Sequence, residues 1–397
     1  MKRILLLALF VMTACTASLE TRLDGILKPL FPADEPGAAV LVMQGNNVLY
    51  DKGFGLARLD HDYLREIGFS GTVPKNNFPQ IDGDTRFNIA SVSKQFTAVA
   101  VLQLVQEGKI SLEDPVGKYF PEYTHELWQE VKVKHLLSHS SGIPDERGYL
   151  TREQKIEGDE ILATEYLKNL DHLRFAPGTA YEYINPSFVL LGQLVEKVSG
   201  EPFTEYVLKH VFNPAGMDKT YYFDRNNQDP EAAHGYEYED VENMPEERTA
   251  GETPSGPKNW YEYDYGEETF FATRPDGGIY TSTHEFVKWE KALRSGTVLD
   301  KDLLQQAWTP HTQVSGSPWS DYQNRDNTWY GYGWFIEPAT DSTPLRIYHT
   351  GDNGGFKIMA ARYPEKNLII LIFANRADWD RYGLLMQMEK EINSTNK

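Results

Sequence analysis

The stretch "FNIASVSKQFTAVAVLQLVQEGKISL", residues 87–112, sets a serine and a lysine three positions apart at the head of an apolar run. Phe96, Val99, Val101, Leu102, Leu104 and Val105 recur at helical spacing and Gly108 offers a C-cap, so the run predicts a buried helix of about four turns. A lysine there is costly and asks for a reason. On a helix, residues i and i+3 share a face about 5–6 Å apart at Cβ, so Ser91 and Lys94 can touch. A serine hydroxyl is a poor nucleophile until a base takes its proton. A lysine in apolar surroundings loses part of its preference for the charged form and can be that base near neutral pH. Backbone N–H groups at a helix start can also stabilise negative charge developing on a substrate oxygen. The competing reading is an N-cap serine with Lys94 snorkelling to water. Spacing alone does not choose between them, because Ser255 and Lys258 repeat it within "SGPK", where glycine and proline forbid a regular helix.

Outward from this stretch, the chain has 397 residues, enough for two sub-domains or one large domain with an insertion. Its 39 basic and 58 acidic residues give a net charge of -19, which argues against nucleic acid or an anionic membrane surface as the partner. The start, "MKRILLLALFVMTACTASLE", has Lys2 and Arg3, then an apolar run too short to span a bilayer, then small residues. This is the layout of a secretory signal over residues 1–14. "MTAC" resembles the lipobox of bacterial lipoproteins, which implies lipidation of Cys15 and an exported, lipid-anchored protein; the alternative is ordinary cleavage nearby with Cys15 lost. Cys15 is the only cysteine, so no intramolecular disulfide, thiolate nucleophile or thiolate zinc site is expected in the folded body.

"AAVLVMQ" and "NVLYDKGFG" flank Gly45 and Asn46 and predict a β-hairpin over residues 38–54. Signals between the first helix and about residue 220 are helical, including "SFVLLGQLVEKVSG" and "TEYVLKHVFNPAG", each closed by glycine. "STHEFVKWEKALRSG" predicts a further amphipathic helix. "WYGYGWFI", "LRIYHTG", "FKIMAARYP" and "NLIILIFAN" predict strands, with a helical tail from about Trp379. Strands at both ends with helices between predict an α/β (α+β) fold, one antiparallel sheet built from the two termini and flanked by helices. The expected division is a tether and first helix over 15–35, an α/β sub-domain from 36–97 and 269–397, and an inserted, mostly helical sub-domain over 98–268 with an acidic loop at 237–268. The loops at 60–83, 237–268 and 311–328 are expected to roof a cleft between the two.

Two further motifs give the serine and lysine partners. "YEYINPSFVLLG" holds Tyr183 and Asn185 ahead of an apolar helix, and "IYHTGDNGGF" holds His349, Thr350 and Gly351 at a strand end. With Ser91 and Lys94, in this order and at wide spacing, they resemble the three motifs of the serine β-lactamase and penicillin-binding protein-like family, in its class C β-lactamase, DD-peptidase and esterase branch. "HLLSHSSGIPD", "FAPGTAYEYIN" and "PDGGIYTSTHEFVKW" extend the resemblance over about residues 36–380. It implies a β-lactamase/transpeptidase-like fold and an acyl-enzyme formed by attack of Ser91, with Lys94 and Tyr183 sharing the proton traffic. It further implies that Asn185 holds the substrate's amide oxygen, that His349, Thr350 and Gly351 contact the substrate, and that the backbone N–H groups of Ser91 and Asp352 form an oxyanion hole. No cofactor or metal is expected, and the partner is a small-molecule or peptide substrate.

One departure bears on the substrate. Many β-lactamases of this family have lysine where this chain has His349, and a histidine with a reference pKa of about 6.5 is mostly neutral at pH 7. The site then offers less positive charge to a β-lactam carboxylate. The expected function is therefore serine hydrolysis of an ester, amide or D-amino-acid peptide, with β-lactam hydrolysis or slow-turnover penicillin binding and sensing as alternatives. Tyr322 and Asn324 repeat the Tyr-x-Asn spacing in a loop, and "HLLSHSSG" reads as a helix end whose His135 and His139 are structural. No serine has glycine at both i−2 and i+2, so the nucleophile elbow of α/β-hydrolases is absent, and no His-Glu-x-x-His cluster occurs.

Overall fold

The computed structural model describes residues 17–59, 79–151, 154, 159–224, 229–238, 260–262, 273–318 and 327–394. The signal segment, Cys15, most of the loops at 60–83 and 237–268, residues 319–326 of the third loop and both decoy motifs lie outside the described residues.

Helix α1 (Leu19–Leu30) is capped by Ser18, whose hydroxyl accepts from the Thr21 N–H. It leads into the predicted hairpin, β1 (Ala38–Gln44) and β2 (Asn47–Phe54), which turns at Gly45 with φ 62°. A two-residue strand, β3 (Phe87–Asn88), precedes a tight 3-10 turn, Ala90–Ser93, and helix α2 (Lys94–Gln106). Helix α3 (Asn185–Ser199) closes on Gly200 in the left-handed conformation, as the sequence predicts. Strands β4 (Tyr221–Tyr222) and β5 (Ile279–Thr281) follow, then helix α4 (Thr283–Ser295). The last part supplies β6 (Thr312–Gln313), β7 (Trp329–Tyr330), β8 (Phe335–Glu337), β9 (Arg346–Asn353), β10 (Phe356–Tyr363) and β11 (Leu368–Ala374), and ends in helix α5 (Arg381–Ser394).

Eight strands form one sheet in the order β2-β1-β11-β10-β9-β8-β7-β6, every pair antiparallel. The pairing of β1 with β11 joins the two ends of the chain, with Ala38 opposite Ala374 and Gln44 opposite Leu368. Both faces are covered, which explains why β11 reads as an unbroken apolar run and not as an alternating one, and why every residue of β10, Lys357 and Arg362 included, is buried. Leu41, Met43, Ile358, Leu371 and Phe373 face the core shared with α2, α3 and α4, while Val40, Val42, Met359, Ile370 and Ile372 face α1 and α5. A smaller sheet, β3-β5-β4, holds the chain immediately before Ser91. Among the described residues no helix is long and apolar enough to cross a membrane.

Candidate active site

Ser91 does not lie on the α-helix proper but in the 3-10 turn ahead of it, and α2 begins at Lys94. A 3-10 turn nearly eclipses residues i and i+3, which brings the pair together more directly than the expected α-helix would. The Lys94 ammonium nitrogen donates to Ser91 Oγ at 3.0 Å and to the Asp276 carbonyl at 2.7 Å. Lys94 is fully buried, and burial holds its pKa down at about 7; the Arg147 charge pushes the same way and Asp276 pushes against it. The snorkelling alternative is thereby removed.

The turn is held from several sides. Ala90 has φ 46°, a left-handed backbone unusual for a residue with a Cβ, and its N–H donates to Asn88 Oδ1 at 2.7 Å. The segment 275–279 is stapled beneath: Thr97 Oγ1 donates to the Pro275 carbonyl at 2.6 Å, and the Ile279 N–H donates to Ser93 Oγ at 3.2 Å. Strand β9 closes the other side at Gly351, where an added Cβ would lie 2.3 Å from the Ile89 carbonyl oxygen. Only a glycine allows that approach, which brings the backbone of 351 and 352 against the Ser91 turn.

Tyr183 and Asn185 come from the opposite wall. Lys94 Nζ stands 5.0 Å from the centre of the Tyr183 ring and 5.7 Å from that of Phe188. Asn185 opens α3 with Pro186 behind it, a residue suited to the first helical turn. Among the described residues no donor reaches the buried Asn185 Oδ1. His349 lies 6.2 Å from the Tyr183 ring, centre to centre. Ser91, Lys94, Tyr183 and His349 thus converge from the 3-10 turn, α2, the segment ahead of α3 and β9.

A sequence profile described as Beta-lactamase matches residues 28–389, which contain all of these residues. The chain belongs to the beta-lactamase family. Protein flp of Staphylococcus aureus is 26% identical over 369 residues, covering 91% of this chain and 64% of that protein, so the chain spans under two-thirds of the relative's length. A penicillin binding protein from Bacillus halodurans superposes with a TM-score of 0.70 at 25% identity, covering 93% of this chain and 99% of that one. A D-amino acid amidase from Ochrobactrum anthropi shares the fold, with a TM-score of 0.71 at 20% identity over 96% of this chain and all of that one. The family is one of serine hydrolase-related proteins, and the mixed α/β fold expected from the sequence is that of its solved relatives.

Within this beta-lactamase-family site, His349 is more constrained than the sequence implied. A carbonyl can only accept, so Nδ1–H donates to the Thr350 carbonyl at 2.6 Å, and Nε2 is left to accept from the Tyr330 hydroxyl at 2.8 Å. Both ring nitrogens are spent inside the protein, and burial followed by the Lys94 charge pushes the imidazole pKa down to about 3. The strand therefore presents a neutral ring, and Thr350 is buried beside it. The Asp352 carboxylate points outward to the Arg381 guanidinium, which also donates to the Gly351 and Ile358 carbonyls at 3.4 and 3.2 Å. The cation at this end of β9 is thus already engaged.

Three residues at the site escape sequence reasoning. Tyr330 fixes the His349 tautomer from another strand. Asp276 is buried, and its carboxyl pKa is raised by that burial despite the opposing charges of Lys94 and Arg147. Gln95 accepts from Trp289 at 2.9 Å, Trp334 at 3.2 Å and Arg362 at 3.1 Å while donating to the Val92 carbonyl at 3.0 Å, which locks the residue beside Lys94. The only available signal was Asp276's place in "PDGGIYTSTHEFVKW", which matched without a role attached. Among the described residues no cluster of three or more His, Cys, Asp or Glu side chains could hold a metal ion.

Proposed function

We propose that the chain is a serine hydrolase that forms an acyl-enzyme on Ser91 and acts on an ester, amide or D-amino-acid peptide carbonyl. The observation that carries this reading is the 3.0 Å contact between Ser91 Oγ and a buried Lys94 whose ammonium is easily deprotonated. Neutral Lys94, with Tyr183 beside it, takes the Ser91 proton as Oγ bonds to the carbonyl carbon. The Ser91 and Asp352 N–H groups receive the oxyanion, and collapse expels the leaving group, which carries the proton away. Water then cleaves the acyl ester by the reverse path and regenerates Ser91. Asn185, with a buried acceptor to spare, orients the substrate amide.

The neutral His349 and the engaged Arg381 favour simple esters and amides over β-lactams and free D-Ala-D-Ala termini, both of which bring a carboxylate needing a counter-charge. The name of the Bacillus halodurans relative supports a second reading, a penicillin-binding protein that acylates and turns over slowly. A panel of a short acyl ester, a D-Ala-D-Ala peptide and nitrocefin, run with wild type and Ser91→Ala, tests both. The expected result is ester or amide turnover abolished in Ser91→Ala, with a covalent mass on the peptide carrying Ser91. Full activity in the variant, or an adduct elsewhere, sinks the mechanism, and a lasting β-lactam adduct without turnover selects the second reading.

A further inference from the structure

His139 ends the "HLLSH" segment, and its neighbour Ser140 has its hydroxyl 2.9 Å from Ser138 Oγ, so the pair is no nucleophile and base. It contacts the chain on both sides of Tyr183 instead. The Glu182 N–H donates to the His139 carbonyl at 3.0 Å, and the Ile184 N–H donates to His139 Nδ1 at 3.3 Å. The two backbone donors flanking Tyr183 therefore end on one residue. The imidazole also lies over the Tyr183 ring, 4.2 Å between centres at 35°, while Phe335 stacks parallel to the tyrosine at 6.3 Å. The helix Val133–Leu137 has ended two residues earlier, and His139 has φ 52°, which turns its carbonyl off the helix axis.

We propose that His139 is a positioning residue for Tyr183, a clamp whose carbonyl and Nδ1 fix the backbone before and after the tyrosine while the ring fixes its plane. This rests on the reading of Tyr183 as a proton-transfer group. Nδ1 can accept from Ile184 only in a neutral ring carrying its proton on Nε2. Full burial, with the Lys94 charge as a further neighbour, keeps the ring in that form by holding its pKa well below the usual histidine value. The reach of Tyr183 toward Ser91 and Lys94 is then set by His139, which meets Ile184 from 45 positions away in sequence. Misplacement of a reacting group by about 1 Å costs on the order of 100-fold in rate, so a clamp of this kind shows in kinetics before it shows in folding.

Glycine and asparagine both tolerate a left-handed backbone, but only asparagine keeps a side-chain acceptor in place of Nδ1. Single-turnover acylation of Ser91 by a short acyl ester, followed by intact mass, is measured for wild type, Ser91→Ala, Tyr183→Phe, His139→Gly, His139→Asn and Tyr183→Phe/His139→Gly, with thermal midpoints alongside. His139→Gly is expected to acylate about 10- to 100-fold more slowly and His139→Asn to recover to within about threefold of wild type. In the Tyr183→Phe background, His139→Gly is expected to change little, since residues acting as one unit are not additive. The clamp is overturned if His139→Gly acylates at the wild-type rate, if asparagine is no better than glycine, or if the two substitutions multiply. Should glycine fail to fold, asparagine alone decides by the same margin, and failure of both to fold makes His139 a fold residue and ends the proposal. An adduct away from Ser91 fails the acyl-enzyme reading itself, whereas a Ser91 adduct formed at the wild-type rate in His139→Gly fails the clamp alone.

Discussion

Lys94 shows what one residue can and cannot announce. That a lysine on an apolar run had to be buried or snorkelling followed from composition, but the choice depended on the Asp276 carbonyl, 182 positions away, accepting a hydrogen bond from it. Its environment makes a pH prediction. The groups facing the ammonium are Ser91, the buried Asp276, the Arg147 guanidinium, and the neutral rings of His139, His349 and Tyr183. The sum holds Lys94 at about 7, below an ordinary lysine. Only the neutral amine can take the Ser91 proton, so activity is present above that value and lost as pH falls through it. With an ester that does not itself titrate, kcat/KM is expected to fall about tenfold per pH unit on the acid side of a midpoint near 7. Because kcat/KM reports the free protein, the limb belongs to Lys94 and not to the bound complex. A profile flat from about pH 5.5 to 8.5 would mean that Lys94 is not the base.

Among the elements, helices α2, α3 and α4 were legible because each carries its own period and its own glycine stop, the hairpin because of its turn at Gly45, and the four late strand segments as short apolar runs. Their mutual seating was not legible. β9 reads as a strand from its residues alone, yet its contribution to the site is the pressing of its backbone onto the Ser91 turn, which a sequence expresses only as the absent side chain of Gly351. The same turn begins as 3-10 and not as α, because Ala90 and the staple from 275–279 shape it, and neither has a periodic signature. Gly351→Ala tests the seating. The new Cβ meets the Ile89 carbonyl, a backbone atom that cannot swing aside, so β9 must back away. The expected cost is about 1–3 kcal/mol of stability, as for an overpacked core, read as a lower urea midpoint. Ser91 acylation should fall further than that loss of stability explains, since the Asp352 N–H, the proposed second oxyanion donor, moves with the strand. Unchanged urea midpoint and unchanged acylation together would show that the close approach does not set the site.

At the scale of the molecule, the sheet and the helices over it are joined by a buried ion pair that reaches Gln95, the residue beside Lys94. Arg362 on β10 meets Glu290 on α4 through a short two-pronged contact, the side chains only 4% and 2% exposed, and the same guanidinium donates to Gln95 on α2. It also lies 5.6 and 5.7 Å from the ring centres of Trp308 and Trp334. These five contributors are spread from residue 95 to residue 362, which is why no local pattern revealed the hub. Two desolvated charges are a poor source of net stability, because their attraction little more than offsets the loss of water. Removing one partner is another matter, since the other charge stays buried. Glu290→Ala is therefore expected to destabilise the fold by about 3–5 kcal/mol, whereas Glu290→Leu combined with Arg362→Met should recover most of that loss. Urea unfolding of the three proteins measures both. The activity of the double variant then separates two functions of the hub. If Gln95 needs the guanidinium to keep Lys94 in place, acylation stays low although stability has returned; if the tryptophan donors suffice, it returns with the fold. A Glu290→Ala protein within about 1 kcal/mol of wild type would show that Arg362 finds water or another partner, and that the two layers are held by their apolar core alone.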